Sequence, residues 1–166
     1  GTLISGESWR IRATIATPVG IRVDDGKLYE LHLFQEGITL DRLVTLNRYQ
    51  ISGDYLGAAH NALVIALSRL HERDMIHRDV RPHNILVQRD GSLVLLDCTF
   101  LCQRQSSQQP ADSGVYSAPE TRVGRAVPNS DWYSLAATLA FVGTGYAPNV
   151  GDLDALAEEL SRVSVG

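Results

Sequence analysis

The sequence predicts an α+β domain, mostly α, in which a small β-hairpin precedes a helical body. Three observations carry this reading. Between Ser52 and Arg73, Leu56, Ala59, Leu63, Ala66, Leu67 and Leu70 recur at three- and four-residue steps, which places them on one stripe of a helix. From Asp131 to Val142 the chain is nearly all apolar, the pattern of a helix buried on every side. Residues 9–34 hold two β-rich runs around an Asp-Asp-Gly-Lys turn signal.

Taken in order, the elements are these. "WRIRATIATPVGIRV" and "LYELHLF" read as two strands joined at "DDGK". "EGITLDRLVTLN" opens a short helix, with Thr39 as its N-cap before Leu40 and Leu43. The helix from Ser52 to Arg73 follows. "NILVQRDGSLVLLD" reads as a β-hairpin turning at Asp90-Gly91. Residues 100–116 are polar and rich in Gln and Ser, which predicts a mobile loop. The buried helix at Asp131–Val142 comes next, then an amphipathic helix at Asp152–Val163. There are no repeats, and no low-complexity tract beyond "QRQSSQQ".

A chain of 166 residues is one domain with room for a core. An apolar content of 44% with 20% charged residues suits a soluble globular protein. The net charge of −4 gives no support for nucleic-acid binding. Lys27 is the only lysine; the other basic residues are arginines. The longest apolar run, around Leu135–Val142, is too short to span a membrane, and no signal peptide is expected. Two cysteines, Cys98 and Cys102, point to a reduced, cytoplasmic setting.

The chemistry concentrates in "MIHRDVRPHNILV", Met75 to Val87. Asp79 and Asn84 stand five residues apart on a loop stiffened by Pro82, and Asp97 follows Asn84 by thirteen at the end of "SLVLLD". The hairpin between them lets Asn84 and Asp97 reach one ion. Two carboxylates and a carboxamide at these offsets suit phosphoryl transfer: one acidic group to take a hydroxyl proton, two oxygen ligands for Mg²⁺ on the phosphates.

This stretch resembles the catalytic loop of protein kinases. "SAPE" (Ser117–Glu120) resembles the end of that family's activation segment. "SDWYSLAATL" (Ser130–Leu139) resembles its buried helix F, most of all in bacterial serine/threonine kinases, and "LYELHLFQEGITLDRLV" resembles the last N-lobe strand, the hinge and helix D. The similarity covers residues 20–145. It implies a protein-kinase-like C-lobe with a small β-hairpin from the N-lobe, residues 1–36 being N-lobe strands and hinge and 37–166 the helical C-lobe. Nothing before Leu28 resembles the glycine-rich loop, and Lys27, in its hairpin turn, does not stand for the phosphate-pairing strand lysine. The expectation is a piece of a longer protein or a degenerate relative.

The resemblance also implies roles. Asp79 is the catalytic aspartate. Asn84 and Asp97 hold Mg²⁺ on ATP, and Leu33 and Gln35 offer backbone groups to adenine, with His32 at the gatekeeper position. Arg81 stands where the family has a lysine meeting the transferred phosphate; it keeps the charge with a different reach. Ser113 matches the small hydroxyl residue that contacts the catalytic aspartate. His77 packs the loop, and Arg78 resembles the arginine that grips a phosphorylated activation segment, for which Ser106, Ser107 and, as its second role, Ser113 are acceptors. Asp131 ties the loop backbone to helix F. Glu120 lacks its usual downstream arginine and is expected either unpaired or on Arg122 or Arg125. Cys98 and Thr99 follow Asp97 where the family has Phe and Gly.

The function implied is transfer of the γ-phosphate of ATP to a serine or threonine of a protein, with a missing N-lobe or a partner protein completing the cleft and no role for nucleic acid or membrane. The alternative is a pseudokinase or regulatory docking module, which "DCT" favours and the intact "HRD", Asn84 and Asp97 oppose. A small-molecule kinase shares the H-x-D-x-x-x-x-N loop but not "APE" or "SDWYSL". Taken alone, the 166 residues are expected to be inactive or weakly active, with an apolar strand face left exposed.

Overall fold

A computed structural model of the chain describes residues 11–47, 51–97, 102–103 and 110–148. The fold is mixed α/β, with four helices and three small sheets among the described residues. The predicted first strand divides in two, β1 (Ala13–Ile15) and β2 (Gly20–Asp24). Pro18 lies between them with no N–H to give a ladder. β2 pairs antiparallel with β3 (Lys27–Leu31), Asp24 opposite Lys27. Asp25 and Gly26 both take positive φ, 47° and 68°, the two-residue turn whose twist matches a hairpin. Both faces of this ribbon are open to solvent: Val19, Ile21 and Val23 are exposed, and Phe34 just beyond it is 91% exposed.

β4 (Ile38–Thr39) runs directly into α1 (Leu40–Asn47). α2 (Gly53–His71) is a residue shorter at its start than predicted, because Ser52 caps it, its hydroxyl accepting the Tyr55 N–H at 3.2 Å. Its end is closed by the Glu72 N–H on the Ser68 carbonyl, and Asp74 then turns the chain with φ 56°. β5 (Met75–Ile76) leads into the loop of residues 77–81 and a 3₁₀ turn, Pro82–Asn84. β6 (Ile85–Val87) and β7 (Leu93–Leu95) form the expected hairpin, Ile85 opposite Leu95 and Val87 opposite Leu93.

That hairpin is the centre of a four-stranded sheet ordered β1-β7-β6-β4. β4 lies antiparallel to β6, and β1 lies parallel to β7, a long-range pairing the local sequence does not announce. Within the predicted mobile loop, Cys102–Gln103 forms β8 instead, paired with β5; the backbone of Met75–Ile76 offers an edge that two extended residues complete. A second 3₁₀ turn (Gly114–Tyr116) and α3 (Pro119–Arg122) precede α4 (Pro128–Thr144). α4 begins three residues before the predicted Asp131, because Pro128 is suited to a first turn and the Ser130 hydroxyl accepts the Val127 N–H at 3.0 Å. The helix expected at Asp152–Val163 lies outside the described residues. So do Cys98, Thr99, Ser106 and Ser107.

The core lies between α2, α4 and the β6–β7 hairpin. Tyr55, Leu63 and Leu67 of α2 meet Ile85, Leu93 and Leu95 of the hairpin and Leu135 of α4, with Val80 of the loop buried among them. Ile11, Ala13 and Ile15 pack on the same cluster. Among the described residues no helix is long and apolar enough to cross a membrane.

Candidate active site

The first part of the loop between β5 and β6 is buried: His77, Arg78, Asp79 and Val80 are all nearly inaccessible. A buried loop must place its backbone polar groups somewhere. Here α4 receives them. The carboxylate of Asp131, itself fully buried, accepts the His77 N–H at 2.9 Å and the Arg78 N–H at 2.8 Å. His71, at the end of α2, places Nε2 at 2.8 Å from the same carboxylate. The Thr138 hydroxyl donates to the Val80 carbonyl at 3.3 Å. Arg78 takes φ 72°, a left-handed conformation that costs a non-glycine residue about 1–2 kcal/mol.

These anchors deliver Asp79 with both carboxylate oxygens engaged. Asn84 donates its amide to Oδ2 at 2.5 Å and to the Asp79 carbonyl at 3.1 Å. The Ser113 hydroxyl donates to Oδ1. Arg81 Nε lies 3.3 Å from the same oxygen, an ion pair by distance and not an aligned hydrogen bond. Asn84 is held by the 3₁₀ turn that Pro82 opens, its N–H on the Arg81 carbonyl at 2.9 Å. The Asn84 carbonyl then accepts the Leu96 N–H at 2.6 Å, so the hairpin brings Asp97 to the residue thirteen positions before it. Asp97 takes φ 59°. Burial pushes the His77 imidazole below its ordinary pKa, against the opposing charges of Asp131, Asp79 and Asp97. Burial thus favours the neutral ring, its Nδ1 facing the Asp79 N–H at 3.4 Å and its Nε2 without a partner among the described residues.

The protein kinase domain family matches residues 14–162. The chain belongs to that family. Among its relatives are the probable serine/threonine-protein kinase PkwA of Thermomonospora curvata, 32% identical over 136 residues (77% of this chain, 18% of that protein), serine/threonine-protein kinase PrkC of Bacillus subtilis, 29% identical over 135 residues (78% and 21%), and serine/threonine-protein kinase PknL of Mycobacterium tuberculosis, 32% identical over 124 residues (70% and 31%). The chain thus spans about a fifth to a third of these relatives' own lengths.

Of the sequence-predicted site residues, Asp79, Arg81, Asn84 and Ser113 meet in one cluster, and Asp97 sits at the hairpin exit beside it. Leu33 and Gln35 lie on the open segment between β3 and β4; Gln35 Nε2 reaches the Leu33 carbonyl at 3.5 Å, and among the described residues no hydrogen bond joins either to the Asp79 cluster. Arg78 is buried, not a surface arginine. Among the described residues Glu120 forms no ion pair with Arg122 or Arg125, the two partners expected as alternatives to none; its Oε1 accepts the Ser130 hydroxyl at 2.5 Å. Ser130 stands one residue before Asp131 at the start of α4 and reaches Glu120 first, while the Arg122 guanidinium turns to the Gly114 carbonyl and Asp112. His71 carries no signal in the sequence that marks it as part of the site's support; Ser117 entered only through "SAPE" and Arg122 only as a partner for Glu120.

The donor set fits the Mg²⁺ and ATP that protein kinases use. The Asn84 amide nitrogen is occupied by Asp79, which leaves its carbonyl oxygen for a cation. With the Asp97 carboxylate that makes two hard oxygen ligands, too few for a closed protein cage and suited to an ion whose other ligands are phosphate and water. Among the described residues no group of three His, Cys, Asp or Glu could hold a metal by itself.

Proposed function

We propose that the chain is the C-lobe and last N-lobe strands of a serine/threonine protein kinase. One observation supports this most: a buried carboxylate, Asp79, whose two oxygens are aimed by Asn84, Ser113 and Arg81. In this reading Asp79 orients the substrate hydroxyl and receives its proton. Arg81 sets positive charge beside the transferred group. Asn84 and Asp97 hold Mg²⁺, which when bound with ATP neutralises charge developing on the phosphates. Leu33 and Gln35 present backbone groups to adenine. The protein's own contribution is position and electrostatics. A cytoplasmic location belongs to the same reading.

The exposed apolar residues Val19, Ile21, Val23, Leu33 and Phe34 favour a second reading, a docking module without transfer. Phosphate transfer to serine or threonine peptides by the full natural chain decides between them. The kinase reading expects transfer that falls roughly 10²–10⁴-fold in Asp79→Asn, and calorimetric MgATP binding that weakens in Asp97→Asn. A full-length protein that binds no MgATP and transfers no phosphate leaves the docking reading in its place.

A further inference from the structure

Arg122 has no part in the proposed chemistry, yet both of its side-chain contacts among the described residues fall on the turn that carries Ser113. Its Nη2 donates to the Gly114 carbonyl at 2.6 Å, and its Nε lies 3.4 Å from Asp112 Oδ1. Those two partners flank Ser113, whose hydroxyl reaches Asp79. Asp112 in turn accepts the Gly114 N–H at 2.9 Å, and the Ser113 N–H donates to the buried Ser117 hydroxyl at 2.6 Å. Gly114 takes φ 66°, which lets the chain reverse sharply after Ser113. The guanidinium thus ties two points of the turn, Gly114 by a hydrogen bond and Asp112 by an ion pair without an aligned hydrogen bond.

We infer that Arg122 is a positioning residue: it splints residues 112–114 so that the Ser113 hydroxyl stays on Asp79. This rests on the kinase reading of the site. Without Arg122 the turn keeps its tie from the Ala111 N–H to the Thr121 carbonyl and the Ser117 N–H to the Gly114 carbonyl. The fold therefore survives, and only the register of Ser113 loosens. Arg122 is 35% exposed on its side chain, which limits the ionic share of the effect.

The test is a mutant cycle in the full natural chain, with amide hydrogen exchange on the same proteins. Arg122→Ala is expected to lower kcat about tenfold, the worth of one charge-assisted hydrogen bond, with KM for ATP and the melting temperature unchanged. In a Ser113→Ala background the same change should cost nothing further, since the splint then has nothing to hold. Arg125→Ala, an exposed arginine three residues on, should match wild type. Losses that multiply across Arg122→Ala and Ser113→Ala, or an unchanged kcat, overturn the inference. Exchange separates the two readings: faster exchange at Ser113 and Gly114 in Arg122→Ala, with α4 unaffected, supports the splint even where the wild type transfers no phosphate, an outcome that removes the kinase reading alone. Unchanged exchange at those two amides removes the splint whatever the activity.

Discussion

Asp131→Asn is the sharpest perturbation of this domain. The wild-type carboxylate serves three donors, the His77 and Arg78 N–H groups and His71 Nε2, at 2.9, 2.8 and 2.8 Å. Asparagine has one acceptor oxygen. Whichever way its amide turns, its NH₂ faces a backbone N–H that is sealed from water. The loss of a hydrogen bond to a charged acceptor, with the donor left buried, costs about 3–5 kcal/mol. That is a large share of a domain's 5–15 kcal/mol or so. The freed N–H belongs to His77 or Arg78, and the Asp131 bond is one of the contacts that hold Arg78 at its positive φ. The loop then relaxes, and Asp79, the next residue, moves with it. Urea unfolding should show a lower midpoint at unchanged slope, and phosphate transfer should fall more than a pure stability loss accounts for at temperatures where the variant is folded. A loss below about 1 kcal/mol with unchanged kcat would refute the reasoning.

Two further outcomes follow from the packing. Burial holds His77 neutral, so the unfolded chain binds its proton more readily than the folded one. Its contribution is complete above about pH 6.5, the free histidine value, and is lost as pH falls from there toward the lower folded value, at up to about 1.4 kcal/mol per pH unit; urea melts of His77→Gln between about pH 5 and 7 should lose that slope, and a profile parallel to wild type would sink the assignment. At Gly37 an added Cβ would sit 2.5 Å from the Val87 carbonyl oxygen and 2.8 Å from Leu86 Cγ, so Gly37→Ala must part β4 from β6 and should cost about 1–3 kcal/mol in thermal melts.

Much of this was legible because it is local. The stripe on α2, the Asp-Gly turn of the first hairpin and the apolar run of α4 each follow from periodicity or turn chemistry. The spacing of Asp79, Asn84 and Asp97 foretold their neighbourhood, since a hairpin between Asn84 and Asp97 must close on itself. What was not legible depends on partners distant in sequence. β1 leaves its predicted strand to run beside β7, some 80 residues away. Cys102–Gln103 is extended only because β5 offers an edge. Glu120 accepts the Ser130 hydroxyl, a contact set by where α4 begins. Arg122 was one of two arginines offered to Glu120, and it turns instead to the Gly114 carbonyl and Asp112.

The two carboxylates of the site are held by different physics. Asp79 is aimed by polar contacts: its loop hangs from Asp131, and Asn84, Ser113 and Arg81 surround its oxygens. Asp97 is delivered by strand register. β6 and β7 are buried on both faces, so alternation of polar and apolar residues cannot set that register. The turn sets it. The Gln88 N–H meets the Ser92 carbonyl at 2.9 Å, Asp90 Oδ1 accepts the Ser92 N–H at 2.9 Å, and the Tyr55 hydroxyl from α2 fixes the Gly91 carbonyl at 3.2 Å. At the other end the Leu96 N–H closes on the Asn84 carbonyl at 2.6 Å. A slip by one residue would break all of these at once and carry Asp97 away from Asn84. The meeting of Asn84 and Asp97 therefore depends on a solvent-side turn and a tyrosine of α2 that touch neither residue, while the placing of Asp79 depends on α4. α2 and α4 pack on one another and on the hairpin in a single core, and that shared packing is what makes two separately built halves into one site.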